Sequence, residues 1–310
     1  MNIQDKIAHY KKVVYLSRAL NTARVYGIGL DHFIRYLRSE GVDLQINASE
    51  ITVNHFINFP AFLLQEGYAR KTLSVYVSAA DYLFDQLVVE GLLSIGYADG
   101  VRLHLANKEI YKKQSSRLPR FPKNGEAERM IDAVIGDNEP SPRQERNVAL
   151  VFFLYSTGCR IDEAVKLNIG NLDMAERSAV VIGKGDKQRR VWYSADAADA
   201  INSYINAHGF HDSNIPLFLR HDRGAGRKAK RISTATGRNV VARIAILAGL
   251  EKSKFTPHYF RHNFAIKMLR ATHDLALVQD LMGHVNPTST RVYAKIYPED
   301  LRDAHHEVFD

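Results

Sequence analysis

Residues able to do chemistry gather in four short segments of the second half of this 310-residue chain. In Ser156-Thr157-Gly158-Cys159-Arg160-Ile161-Asp162-Glu163, Gly158 is suited to end one helix in the left-handed conformation and Arg160 to begin the next. Its guanidinium would there meet an anion, or simply pair with Asp162 or Glu163. Lys184 stands in the turn Gly183-Lys184-Gly185-Asp186-Lys187, which opens a strand and lacks the spacing of a phosphate-binding P-loop, so nucleotide binding is rejected. A lysine on a hairpin tip is a proton donor or a solvated turn residue. In Thr256-Pro257-His258-Tyr259-Phe260-Arg261-His262, Thr256 reads as an N-cap and Pro257 as the first helical position. His258 and Arg261 then lie one turn apart near the positive helix end, a place suited to a phosphate oxygen. His258 and His262 have zinc spacing, but Tyr259 stands where the protease pattern needs glutamate and Arg261 would repel a cation, so no metal is expected. The fourth segment is Gly283-His284 with Tyr293 nine residues beyond; each, taken singly, is a packing residue.

Helices must carry most of these groups. In the first hundred residues Tyr26, Leu30, Phe33, Ile34 and Leu37 recur at helical spacing, as do Leu73, Tyr76, Val77, Ala80, Leu83, Phe84 and Leu87, which predicts a helical bundle. Between them, Val53 to Leu64 reads as a weaker helix that Pro60 should kink or split. Thr72, after Arg70 and Lys71, reads as an N-cap, so this helix start is a candidate DNA-phosphate site or a solvated end. Lys112 to Glu126 has two prolines, a glycine and no apolar periodicity, and reads as a linker. The expected division is residues 1–112 as a helical domain, 113–126 as linker and 127–310 as a mixed domain. In the latter, strands at Ser178–Ile182 and Gln188–Tyr193 would form a hairpin around Lys184, with helices before and after. The basic stretch Arg220 to Arg231 reads as a solvated surface loop. The fold class is thus mainly α with a small antiparallel β-sheet.

Composition narrows the field. A hydrophobic fraction of 45% with 25% charged residues excludes disorder, and no apolar run approaches the ~20 residues that span a bilayer. The opening MNIQDKIAHYKK has no apolar signal core, and one cysteine allows no internal disulfide, so a cytoplasmic location and no membrane association are expected. The net charge of +8 is shared between the two parts, +3 up to Arg117 and +5 beyond, which favours a polyanionic partner engaged by both.

In the order Arg160, Lys184, His258-x-x-Arg261, Gly283-His284, Tyr293, the chain resembles the tyrosine recombinase, or phage integrase, family of site-specific DNA recombinases, over nearly its whole length. The resemblance implies a helical core-binding domain that clamps DNA and a mixed α/β catalytic domain. Arg160 matches the first catalytic arginine, Lys184 the hairpin lysine, His258 and Arg261 the His-x-x-Arg pair, His284 the histidine before the nucleophile and Tyr293 the nucleophile. In-line attack on a phosphodiester builds charge on the non-bridging oxygens, where two arginines supply planar, permanently charged donors. His258 is expected to act as acid or base, His284 as stabiliser and Lys184 as general acid for the 5′ oxygen, with Tyr293 forming a 3′-phosphotyrosyl bond. No cofactor is required.

The resemblance further implies double-stranded DNA as partner, a homo-tetramer in the synaptic complex, and an accessory DNA-bending or directionality protein as a possible addition. The tail from Pro298 onward is a candidate for packing on a neighbouring subunit, and no extra arm-site domain is expected. Cys159 stands where a larger apolar residue is common in the family, which reads as a packing change, with oxidation sensitivity of a thiol beside Arg160 as a further hypothesis. The residues after Tyr293, Ala-Lys-Ile-Tyr, lack the threonine and histidine frequent in chromosome-dimer-resolving members, so the reading leans to a recombinase of a mobile element. The alternatives are a chromosome-dimer-resolving Xer-type recombinase and a type IB topoisomerase-like enzyme. An idle DNA-binding regulator fits less well because all six positions are filled. A histidine phosphatase fits poorly, since Arg261-His262-Asn263 sits late in the chain and inside a helix.

Overall fold

The structure is a computed structural model that describes residues 1–93, 125–137, 141–209, 212–222, 229–283 and 306. The chain divides into two compact units, Met1–Leu118 and Pro119–Asp310.

In the first unit, helices α1 (Ile3–Ser17), α2 (Leu20–Ser39), α3 (Val53–Gln65) and α4 (Arg70–Val89) enclose one core. Asn2 starts α1 by accepting the Asp5 N–H at 2.7 Å. The faces expected from periodicity are the buried ones: Leu30, Phe33 and Leu37 from α2 meet Leu73, Leu83 and Leu87 from α4. Gly29 lets the two helices touch, since a Cβ there would lie 3.0 Å from both the Ala79 methyl and the Tyr76 Cα. Two expectations need correction. Helix α3 is not split at Pro60 but runs through it as one element, with Phe56, Phe59 and Leu63 on either side buried in the core. Thr72 is not an N-cap: α4 starts at Arg70 with extended Ala69 before it, and the Thr72 N–H donates to Ala69 O at 2.9 Å. Gly67 at φ +81 reverses the chain early enough for the helix to begin three residues sooner.

The second unit holds α5 (Glu126–Gly136), α6 (Pro142–Thr157), α7 (Ile161–Lys166), strands β1 (Leu172–Asp173), β2 (Ser178–Ile182) and β3 (Gln188–Trp192), then α8 (Ala195–His208), α9 (Thr234–Leu247), α10 (Pro257–Thr272) and α11 (Leu275–Met282). Ser141 caps α6 by accepting the Gln144 N–H, and Ala149 to Leu154 of this helix are buried in succession, which makes it the central element. The sheet is antiparallel in the order β1-β2-β3, with Ser178 opposite Trp192 and Ile182 opposite Gln188. The fold is therefore mainly helical with a small antiparallel sheet, as the sequence predicts; β1 is an addition. The ends of the basic stretch are not simply solvated. Arg231 donates to Val165 O, Leu167 O and Asn168 Oδ1, and the Arg220 N–H donates to Lys230 O, so the stretch is pinned at its base. Among the described residues, no helix is long and apolar enough to cross a membrane.

Candidate active site

Helix α6 ends at Gly158, whose φ of +59 and closeness to Phe264 leave no room for a side chain: a Cβ would lie 2.5 Å from the Phe264 ring. The reversal points the Gly158 carbonyl toward α10 and delivers Arg160 in extended conformation to the start of α7. Glu163, in the first turn of α7, accepts the Arg160 backbone N–H at 2.8 Å and its Nη1 at 2.9 Å. So the pairing foreseen for Arg160 exists, yet its partner is no surface carboxylate: the Glu163 side chain is fully buried. Arg189, from β3, donates Nη1 to Oε1 at 2.9 Å and Nη2 to Oε2 at 2.8 Å of the same carboxylate. Burial pushes the Glu163 pKa up, but hydrogen bonds from Arg189 and Arg160 outweigh it and hold the carboxyl below its usual range.

Arg261 arrives from α10. Its Nη1 donates to Gly158 O at 2.8 Å and its Nη2 to Met282 O at 2.6 Å, carbonyls at the C-terminal ends of α6 and α11. The partial negative charge of those ends compensates a cation that is 4% exposed. Burial, then repulsion from Arg160, lowers its pKa to about 10, and at neutral pH it remains charged. His258 stays exposed on the first turn of α10. Desolvation lowers its pKa, followed by Arg261 and Arg160, so it is neutral at pH 7 and able to accept a proton. Thr256 and Pro257 occupy the predicted N-cap and first helical position, although Thr256 makes no side-chain cap bond.

The structure thus brings Arg160, His258 and Arg261 into one electrostatic neighbourhood. It places the backbone of Lys184 in the tight turn Lys184–Asp186 between β2 and β3, where Gly185 and Asp186 have φ of 72° and 56°. His284 and Tyr293 lie outside the described residues; Gly283, immediately before His284, ends α11 at φ +62. Arg70 and Lys71 are exposed on the first turn of α4, in the other unit. Among the described residues no group of three or more His, Cys, Asp or Glu side chains converges as a cation would need.

Two residues escape the motif reading. Glu163 is foreseen as a surface partner of Arg160 but not as the buried carboxylate that anchors it, and Arg189 is signalled only by sharing a strand face with buried Val191. The oxidation hypothesis for Cys159 is corrected: the residue is buried and burial pushes its thiol up to about 12, which leaves almost no thiolate to react.

Residues 121–300 match the model of the phage integrase family, and residues 7–91 match the phage integrase N-terminal SAM-like domain. Tyrosine recombinase XerC of Halalkalibacterium halodurans is 30% identical over 288 residues, covering 90% of this chain and 88% of that protein. Among solved structures, the pre-cleavage complex of XerH site-specific recombinase bound to its difH substrate aligns with a TM-score of 0.71 at 21% identity, covering 96% of this chain and 83% of that one. The Tn1549 transposon integrase in complex with a circular intermediate DNA aligns over all of both chains, with a TM-score of 0.69 at 16% identity. At such identities the two likenesses speak to the fold.

Proposed function

Since the chain belongs to the phage integrase family and is a tyrosine-type site-specific recombinase, we propose that it is a Xer-type enzyme that cleaves and rejoins double-stranded DNA through Tyr293. The phenolic oxygen attacks a phosphodiester in line; the bond from phosphorus to the 5′ oxygen breaks, and a 3′-phosphotyrosyl bond takes its place. His258 accepts the tyrosine proton, and Lys184 supplies one to the departing 5′ oxygen. Attack by another 5′ hydroxyl reverses the step, so the phosphodiester energy is retained and no cofactor is needed. His284 stabilises the charge that builds on the phosphate, together with Arg160 and Arg261.

The observation that carries this reading is the convergence of Arg160 and Arg261 around Gly158, close enough that Arg160 depresses the Arg261 pKa. Cations held together against their repulsion form a site that an anion stabilises, and planar guanidinium groups suit a phosphate oxygen pair. Residues 1–112 would clamp the duplex, with Arg70, Lys71 and Thr72 near its backbone. Exchange between two duplexes calls for four protomers, and an accessory protein is compatible with the scheme.

The Xer reading takes precedence over the mobile-element reading because a XerC relative aligns over 90% of the chain, whereas the mobile-element leaning rests on the few residues after Tyr293. Adduct capture separates them. Protein incubated with sheared host DNA is denatured, and the linked DNA is sequenced; a single chromosomal locus is expected, and adducts at the ends of an inserted element would overturn the Xer assignment. A plasmid carrying two copies of the recovered site should resolve into two circles. Relaxation without resolution would instead mark a topoisomerase-like enzyme.

A further inference from the structure

Two guanidinium groups share one buried carboxylate, and they share it unequally. Arg189 takes both oxygens of Glu163, leaving Arg160 a single side-chain contact, Nη1 to Oε1. An arginine alone with a carboxylate closes the two-bond fork; here Arg189 already occupies it. Among the described residues, nothing engages the Nε and Nη2 of Arg160, so these donors remain for a phosphate.

The other side of Arg189 lies against the end of α11. A Cβ on Gly283 would stand 2.8 Å from Cδ, 2.9 Å from Nε and 3.2 Å from Cζ of Arg189. The Nε–H itself is buried and has no acceptor among the described residues. A donor left in that state is a cost that the two bonds to Glu163 must offset. Arg189 also rides on β3, the strand that follows the Lys184 turn. It therefore joins three pieces of the site: α7 through Glu163, the hairpin, and the residue preceding His284.

We propose that Arg189 is a positioning residue for strand cleavage: by holding both oxygens of Glu163 it keeps Arg160 singly tethered and presented to the scissile phosphate, while its packing on Gly283 fixes where α11 ends beside that arginine. The proposal rests on the recombinase reading of Arg160. In Arg189→Gln the carboxylate is free to close its fork on Arg160 and draw it away from the phosphate.

The test is single-turnover cleavage of a nicked duplex carrying the site recovered by adduct capture, made once with an ordinary scissile phosphodiester and once with a methylphosphonate. The methyl group removes the charge that Arg160 would neutralise, so a misplaced Arg160 matters less there. For Arg189→Gln we expect cleavage of the phosphodiester slowed by about tenfold or more, duplex affinity within about twofold of wild type, and near wild-type cleavage of the methylphosphonate. Arg189→Lys, which keeps the charge and lacks the fork, should share the phosphodiester defect. Circular dichroism melting restricts the rates to temperatures at which each variant is folded. Equal loss on both substrates would show a merely structural role and overturn the proposal, as would an unimpaired Arg189→Gln. A wild type that forms no adduct would overturn the recombinase reading itself, and this proposal with it.

Discussion

Arg261 meets a phosphate from a fixed position, because two carbonyl oxygens at helix ends hold its Nη1 and Nη2. Lysine at this place keeps the charge but cannot reach both carbonyls. Arg261→Lys should lower the cleavage rate by about a hundredfold and stability by about 2 kcal/mol, read by adduct formation and urea unfolding; a variant with wild-type kinetics would remove Arg261 from the site. Titration of two histidines acts on the stability of the same unit. Burial, more than any neighbouring charge, lowers the pKa values of His221 and His262 to about 4. Above the unfolded value of about 6.5 the rings are neutral in both states and nothing is lost. As pH falls from about 6.5 toward about 4, the unfolded chain takes up protons that the folded chain does not, and stability declines. His221, whose Nε2 lies 2.7 Å from the Tyr204 hydroxyl, has no role in the cleavage chemistry proposed above. Urea midpoints should therefore fall across that window, and less steeply in His221→Gln; parallel curves would contradict the assignment.

At the scale of elements, the site depends on two glycine-ended helices, and the core of the first unit on one close helix crossing. Gly158→Ala would force a Cβ against Phe264 in a left-handed conformation, and about 3 kcal/mol of destabilisation is expected, with loss of cleavage as the Gly158 carbonyl leaves Arg261. In the first unit, Gly29→Val should separate α2 from α4 and cost about 2–3 kcal/mol in thermal or urea unfolding. A loss below about 0.5 kcal/mol in either would mean that the helix contact is not tight. The apolar faces of α2 and α4 were legible because burial follows a 3.6-residue period, and the hairpin because two β-rich runs flank glycines. The N-terminus of α4 was not, since Gly67 and Ala69 set it without any capping side chain. Nor was Pro60, whose missing N–H α3 tolerates while its flanking aromatics are buried. Arg160 and Arg261 could be read from their segments, but the carboxylate and second arginine that orient Arg160 are joined only by tertiary contact between α7 and β3.

For the whole molecule, each unit has its own hydrophobic core, one drawn from residues 3–93 and the other from 127–260. A fragment starting at Pro119 should therefore fold, and bind duplex DNA with a shallower dependence of log affinity on log salt than the full chain, because each phosphate contacted by a Lys or Arg of the first unit releases a further counterion. Equal slopes would exclude the first unit from the phosphate backbone. The central claim concerns the bond the enzyme makes. Wild type and Tyr293→Phe would each be incubated with sheared host DNA, denatured, and the protein-linked DNA recovered, with the linkage mapped by peptide mass. The account predicts a 3′-phosphate ester on Tyr293 in the wild type and none in the variant, with DNA binding preserved in both. An adduct that persists in Tyr293→Phe, or one mapped to Tyr297, would contradict it.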